Sequence, residues 1–417
     1  MRRWSLVRSS IFEGLRGHKP RRFSVVVNDV ERVSVRNGSS GFVTIDLHNI
    51  AKVSSPDPLL IYLPPYSTAF ADRPAQVPRF LQRRPVAVIN YRWAGLNPLE
   101  TEELPSSKSN EQSEEDELPH LSWPTPIHDT ARAYDWIIEN LSPSTSTRRN
   151  IYVYGSYLGA SLATSLALTE THPHARMGIR GVVAYNGIYN WTMFLPDHPI
   201  NNPPKQRSMS IFEEILAHSG DPKFQDMKRH AEALFGRPDN IFDPFASPCL
   251  FFQTPGLLVP PSFDASALPP PGTSILDLST DPEDVSQQLL TPLRHPRRSP
   301  LVFPPRKSTL KIPETLLLHS PPPPLPPSLL RRRLRRKKSH AGNSFRYQAE
   351  QLAGLMRRSL DKFELKERSK WDDDFESWHD EAARRVQVSD GGLSTDAYGL
   401  GVKGEGLAAA WLEDHIQ

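Results

Sequence analysis

Ile151-Tyr152-Val153-Tyr154-Gly155-Ser156-Tyr157-Leu158-Gly159-Ala160-Ser161-Leu162-Ala163-Thr164-Ser165-Leu166-Ala167-Leu168 is the run that decides the fold. Its first four residues are β-branched or aromatic and predict a buried strand. Ala160–Leu168 predicts a helix rich in small residues. The five residues between them, Gly155 to Gly159, must turn the chain sharply. In such a strand–turn–helix elbow the middle residue sits at positive φ, so its neighbours must be small to avoid clashes. Gly155 and Gly159 meet that need, while Ala160 and Ala163 let the helix lie close to the sheet. A dinucleotide-binding turn is disfavoured, because Gly155-Ser156-Tyr157 breaks the Gly-x-Gly that a pyrophosphate requires.

The same strand–helix rhythm extends on both sides. Phe23–Val27 and Arg32–Val35 read as short strands, and Asn37-Gly38 marks a hairpin turn before Gly41–Leu47. Leu59–Leu63, Pro85–Tyr91 and Gly181–Tyr185 are continuous apolar runs, suited to central strands buried on both faces of a mostly parallel sheet. Ala133, Trp136, Ile137 and Leu141 share one face of a helix predicted over Thr130–Leu141. Ser210–Ala217 and Asp226–Phe235 also read as helices. Further on come a strand at Glu314–His319, a helix at Phe345–Leu360, a last strand at Val386–Val388 and a closing helix at Gly406–His415. The fold class is therefore α/β, with helices flanking a mostly parallel sheet.

Composition sets the limits. Of 417 residues, 42 are proline, one in ten, against a usual share of about 5%. Such a chain is not uniformly compact, since proline removes backbone donors and breaks elements. About half the prolines fall between Asp243 and Pro327. The net charge of +3 does not describe a general polyanion binder. A lone Cys249 excludes an internal disulfide framework and any cysteine-built metal site. No cofactor is expected. No apolar run approaches the length of about 18 to 20 residues that a membrane span needs, so the chain is read as not transmembrane. The expected organisation is a basic arm or targeting segment at 1–22 followed by one domain at 23–417. That domain carries an acidic, disordered insertion at 101–119, a helical cap region at 196–235, a proline-rich insertion at 254–312 and a Pro/Arg-rich insertion at 320–340. The amphipathic basic start resembles a mitochondrial presequence, and Arg331–Lys338 resembles a nuclear-import signal. The cytoplasm is the expected compartment, with mitochondrion and nucleus as alternatives. No aromatic residues interleave the basic cluster, so specific nucleic-acid binding is not expected.

The elbow at 155–159 resembles that of the α/β-hydrolase family, in particular the esterase/lipase branch similar to hormone-sensitive lipase. That branch carries Gly-Asp-Ser-Ala-Gly-Gly and then Leu-Ala, where this chain reads Gly155-Ser156-Tyr157-Leu158-Gly159-Ala160 and then Leu162-Ala163. Val86–Tyr91 with Arg92 resembles a strand that often ends Asp-Tyr-Arg, here with Asn90. Pro124 through Asp129, then Ala133 and Trp136, resemble the helix that follows. Gly181–Val183, Ala246-Ser247-Pro248 with Gly256, and Ala408–Leu412 continue the likeness in order.

The resemblance implies a nucleophilic serine at the middle of the elbow, activated by a histidine that an acid orients. Tyr157 stands there instead. Its phenol, of ordinary pKa about 10, is a poor acyl acceptor and its ring fills the space an ester would use. Leu63-Pro64-Pro65-Tyr66-Ser67 replaces the His-Gly-Gly-Gly loop whose N–H groups bind the oxyanion, leaving only the Leu158 N–H in a position to serve. No carboxylate follows Glu314–His319, and no histidine lies in 389–405. The leading expectation is a non-catalytic pseudo-hydrolase that binds a small apolar ligand or a protein partner. Tyr157 either lines a closed pocket with Tyr66, Phe194 and Phe212 or simply plugs it. The alternative is an active hydrolase on a small ester or lactone, using Ser156 as a displaced nucleophile with His379 as base. That pairing needs Lys362–Glu367 to be the last strand. Ser161, His198 and His319 are expected to be structural. A third expectation is an adaptor that docks through the polyproline run Pro321–Pro327.

Overall fold

The computed structural model describes residues 25–27, 30–50, 57–68, 75–93, 121–143, 147–201, 221–263, 296–321, 342–366, 380–393 and 398–416. The basic arm, the acidic run 101–119, the helix expected at Ser210–Ala217, Phe212, the basic cluster 331–338 and His379 lie outside them.

Among the described residues nine strands form one sheet: β1 (Val25–Val27), β2 (Val30–Arg36), β3 (Phe42–His48), β4 (Leu59–Leu63), β5 (Val86–Asn90), β6 (Arg149–Ser156), β7 (Met177–Tyr185), β8 (Glu314–His319) and β9 (Val386–Asp390). Their spatial order is β1-β2-β3-β5-β4-β6-β7-β8-β9. The first four in that order pair antiparallel, and from β5 onward every pairing is parallel. Every residue of β4 and β5 is buried, as their unbroken apolar runs require. The helices that matter here are α1 (Thr125–Leu141), α2 (Leu158–Glu170), α3 (Pro222–Arg229), α4 (Ala231–Phe235), α5 (Phe345–Ser359), α6 (Glu381–Arg385) and α7 (Val402–Ile416). This is the α/β-hydrolase fold: an antiparallel edge on a parallel sheet, a crossover that places β5 before β4, and helices packed on the strands. Among the described residues no helix is long and apolar enough to cross a membrane.

Two buried charge clusters hold the antiparallel edge to the rest. Arg92 makes a bidentate pair with Asp129 of α1, at 2.8 and 2.7 Å from Nε and Nη2. Asn37 of the β2–β3 turn donates to the same carboxylate at 2.7 Å. Asp46 on β3 accepts from Arg32 at 2.6 Å and from Asn90 at 2.9 Å. A polar residue is therefore tolerated at Asn90, inside an otherwise apolar strand, because Asp46 satisfies it.

Several expected bounds change: Asp226–Phe235 is two helices, Pro222–Arg229 and Ala231–Phe235, and the closing helix starts at Val402. The helix expected at Thr130–Leu141 starts five residues earlier, at Thr125, with proline in its first turn, where a missing N–H costs nothing. The described part of Lys362–Glu367 is not a strand: Leu360–Leu365 continues α5 as a π-helical turn. The last strand is Val386–Asp390, paired to β8, so His379 precedes it rather than following it. Phe252–Thr254 and Ser299–Leu301 lie side by side as an antiparallel bridge. There Thr254 N–H donates to the Ser299 carbonyl at 2.8 Å and Leu301 N–H to the Phe252 carbonyl at 2.7 Å.

Candidate functional site

The crossover puts β4 and β6 side by side while the strand that follows each lies in the opposite direction along the sheet, β5 beyond β4 and β7 beyond β6. In α/β sheets the crevice beyond the strand ends at such a switch point is the usual ligand position. Both elements named in the sequence end there: Leu63-Pro64-Pro65 after β4 and the elbow after β6.

The elbow is formed. Tyr157 has φ 50° and ψ −113° and caps the N-terminus of α2. A Cβ on Gly155 would lie 2.3 Å from the Gly159 carbonyl oxygen, and one on Gly159 would lie 2.3 Å from both the Leu63 and Pro64 oxygens. The turn can therefore close only with glycine at both places, as the sequence spacing required. The positive φ is imposed on a tyrosine, at a cost that surrounding contacts must offset.

Those contacts are aromatic. Tyr157 is fully buried. Its ring meets Tyr398, Phe345 and Tyr185 edge-on, with centroids 5.0, 5.6 and 5.7 Å away. The cluster continues from Phe345 to Phe224 of α3 at 5.0 Å and on to Phe194 at 5.1 Å. Tyr66 closes the other side against Tyr398 at 5.6 Å. The Lys223 ammonium lies 5.8 Å from the Tyr157 ring centre and 5.5 Å from that of Tyr398, within cation–π range.

The Tyr157 hydroxyl accepts from Asn186 Nδ2 at 3.1 Å. Asn186, itself at φ 51°, follows β7 directly. Its Oδ1 accepts from the Ser320 N–H at 2.8 Å, and Ser320 Oγ donates to Asp221 Oδ2 at 3.0 Å. A chain of polar groups thus runs from the phenol through β7 and β8 to the start of α3, and it contains an amide, not an imidazole. Burial, reinforced by Tyr185, pushes the Tyr157 phenol far above its usual range, and the Asn186 hydrogen bond offsets only part of this. The phenol is neutral at physiological pH.

The remaining expected groups are engaged elsewhere. Leu158 N–H donates to the Pro65 carbonyl at 3.2 Å, so a backbone oxygen occupies the direction in which an oxyanion would bind. Ser156 is buried and hydrogen-bonds to the phenols of Tyr62 and Tyr154. Ser161 Oγ donates to the Ile188 carbonyl at 2.6 Å. His198 Nδ1 accepts from Ile200 N–H at 3.1 Å while its other ring nitrogen abuts the Arg298 guanidinium. Burial and then that guanidinium lower its pKa to about 4. His319 Nδ1 meets the Ser320 carbonyl at 3.0 Å. Among the described residues no group of His, Cys, Asp and Glu could hold a metal ion.

The structure brings Tyr157, Tyr66 and Phe194 into one aromatic cluster, together with Asn186, Tyr398, Phe345, Asp221 and Lys223, which sequence reasoning did not name. Asn186 carried a signal, a polar residue immediately after an apolar strand. The others arrive from elements far along the chain and carried none.

No family model and no curated protein matches the chain. Solved structures resemble it at low identity. An esterase of Pyrobaculum calidifontis is 13% identical with a TM-score of 0.44, covering 94% of this chain and 85% of its own. Carboxyl esterase 2 of Tuber melanosporum is 13% identical with a TM-score of 0.45, covering 95% and 88%. A hormone-sensitive lipase from a metagenome library is 11% identical with a TM-score of 0.41, covering 94% and 87%. The likeness is one of fold, and nothing about the site rests on it.

Proposed function

We propose that this chain is a pseudo-hydrolase: an α/β-hydrolase fold in which Tyr157 stands where a catalytic serine would attack, and which acts by binding a ligand or partner. One observation carries the reading. The elbow residue is a buried, neutral phenol hydrogen-bonded to Asn186, and the adjacent Leu158 N–H is given to Pro65. Acyl transfer needs an activated nucleophile and free oxyanion donors together. Losing one member of such a unit already removes orders of magnitude in rate, and here neither is available.

The aromatic packing around Tyr157 supports the plug over an open pocket. Binding then belongs to surfaces outside the elbow, or to a state in which Tyr398, Phe345 and Lys223 part. A fluorophosphonate probe tests the reading on the full chain. Folded protein should take no label and should not hydrolyse p-nitrophenyl butyrate. Labelling that disappears in Ser156→Ala, or turnover that disappears in His379→Ala, would establish the displaced-nucleophile alternative and overturn this proposal.

A further inference from the structure

Lys223 stands in the first turn of α3, behind the N-cap Asp221. Its side chain reaches into the corner between Tyr157 and Tyr398. The two rings meet edge-on, at 79° to each other with centroids 5.0 Å apart. Lys223 Nζ lies over both, 5.8 Å from the centre of the first and 5.5 Å from that of the second. Tyr66 extends the wall beyond Tyr398, at 74° to it. The face of a phenol ring is the negative end of its quadrupole, so a corner of such rings attracts a cation.

The nearby carboxylates act in the same sense. Burial is the main reason that the phenols of Tyr157, Tyr185 and Tyr398 lie above their ordinary range, and negative charge adds to it, from Asp221 at the first two and from Asp226 at the third. Asp226 also pairs with Arg229 at 3.0 Å. Asp221 accepts from two neutral donors, the Ser320 hydroxyl and the Lys223 N–H, each at 3.0 Å. Tyr157 is buried, whereas Tyr66, Tyr398 and Lys223 are half-buried. The corner therefore has its floor at the elbow and its rim at the surface.

We propose that this corner is a binding seat for an organic cation with a quaternary ammonium headgroup, and that Lys223 is a tethered occupant which the ligand displaces. A lysine ammonium is compact and strongly hydrated, and ring faces offer its N–H groups poor compensation for lost water. A quaternary ammonium has no N–H to satisfy, and aromatic faces are the contacts it needs. Size agrees as well: beyond Cβ the lysine carries Cγ, Cδ, Cε and Nζ, as many heavy atoms as a trimethylammonium group. This names a ligand class for the binding role proposed above and rests on Tyr157 serving as a wall of the site.

Isothermal titration of the full chain with choline chloride tests this, with dimethylbutanol, the uncharged carbon isostere of choline, as comparison probe. Lys223 is half-buried on a helix and alanine is the best helix former, so the fold tolerates Lys223→Ala. That variant should bind choline about tenfold more tightly than the wild-type chain, where the ligand must displace an ammonium from two rings. Dimethylbutanol should bind neither chain. Added to Lys223→Ala, Tyr398→Leu should weaken choline about tenfold, the share of one ring face, whereas Tyr398→Phe should leave it unchanged. Absence of choline binding to Lys223→Ala, equal affinity in the two chains, equal binding of dimethylbutanol, or indifference to Tyr398→Leu would each overturn the seat. Fluorophosphonate labelling of a chain that still binds choline would overturn the pseudo-hydrolase reading and keep the seat, so the two proposals fail separately.

Discussion

Replacing Tyr157 with serine restores the residue an esterase would carry and removes the ring that fills the site. The side chain is fully buried and touches three aromatic rings within 5.7 Å. Truncating a buried aromatic to a small residue costs about 3 to 5 kcal/mol, because transfer free energy is lost and a cavity remains. Tyr157→Phe keeps the ring and removes only the hydroxyl, leaving Asn186 Nδ2 buried and unpaired at a cost of about 1 to 3 kcal/mol. Backbone strain is common to all three residues, since each has a Cβ at φ 50°. The serine variant should therefore be the less stable of the two by about 2 kcal/mol. Urea unfolding followed by far-UV circular dichroism measures both differences. If Tyr157→Ser lost less than about 1 kcal/mol, the ring would not be the plug described, since cavity formation at a packed site cannot be that small. Assayed alongside, the serine variant should not turn over p-nitrophenyl butyrate, because Leu158 N–H remains committed to Pro65.

Two further outcomes follow from the same neighbourhood. At Asn186 both variants lose the bonds to Tyr157 and Ser320, but only alanine keeps a Cβ at φ 51°. Asn186→Ala should thus be less stable than Asn186→Gly by about 1 kcal/mol, and equal midpoints in urea would contradict the backbone argument. His198, with its folded pKa lowered to about 4, binds a proton more readily unfolded than folded. Its contribution is present above its ordinary value of about 6.5 and is lost as pH falls toward 4, with a slope of up to about 1.4 kcal/mol per pH unit. His198→Gln should flatten that part of the stability profile, and an unchanged slope would assign it to other groups.

The elbow was readable because its requirement is local. Two glycines, four residues apart between an apolar strand and a small-residue helix, leave few other backbones. The strands β4 to β7 were readable for the same reason, as short apolar runs between turn signals. What escaped was the shell around Tyr157. Phe345, Tyr398 and Lys223 come from elements separated by tens to hundreds of residues, and nothing in a helical pattern says which ring will meet which. The ambiguity over the last strand was of another kind. Lys362–Glu367 alternates apolar and polar residues as a strand does, yet α5 runs straight into it and Arg385, paired with Glu364 at 2.9 Å, fastens it there.

The bridge between Phe252–Thr254 and Ser299–Leu301 carries a practical consequence. A pair of backbone hydrogen bonds holds the two flanks beside each other, and closing a longer or shorter span between them changes the entropy only logarithmically. A fluorescent reporter or an affinity handle grafted between these two flanks would therefore leave the pairing of Phe252–Thr254 with Ser299–Leu301 in place.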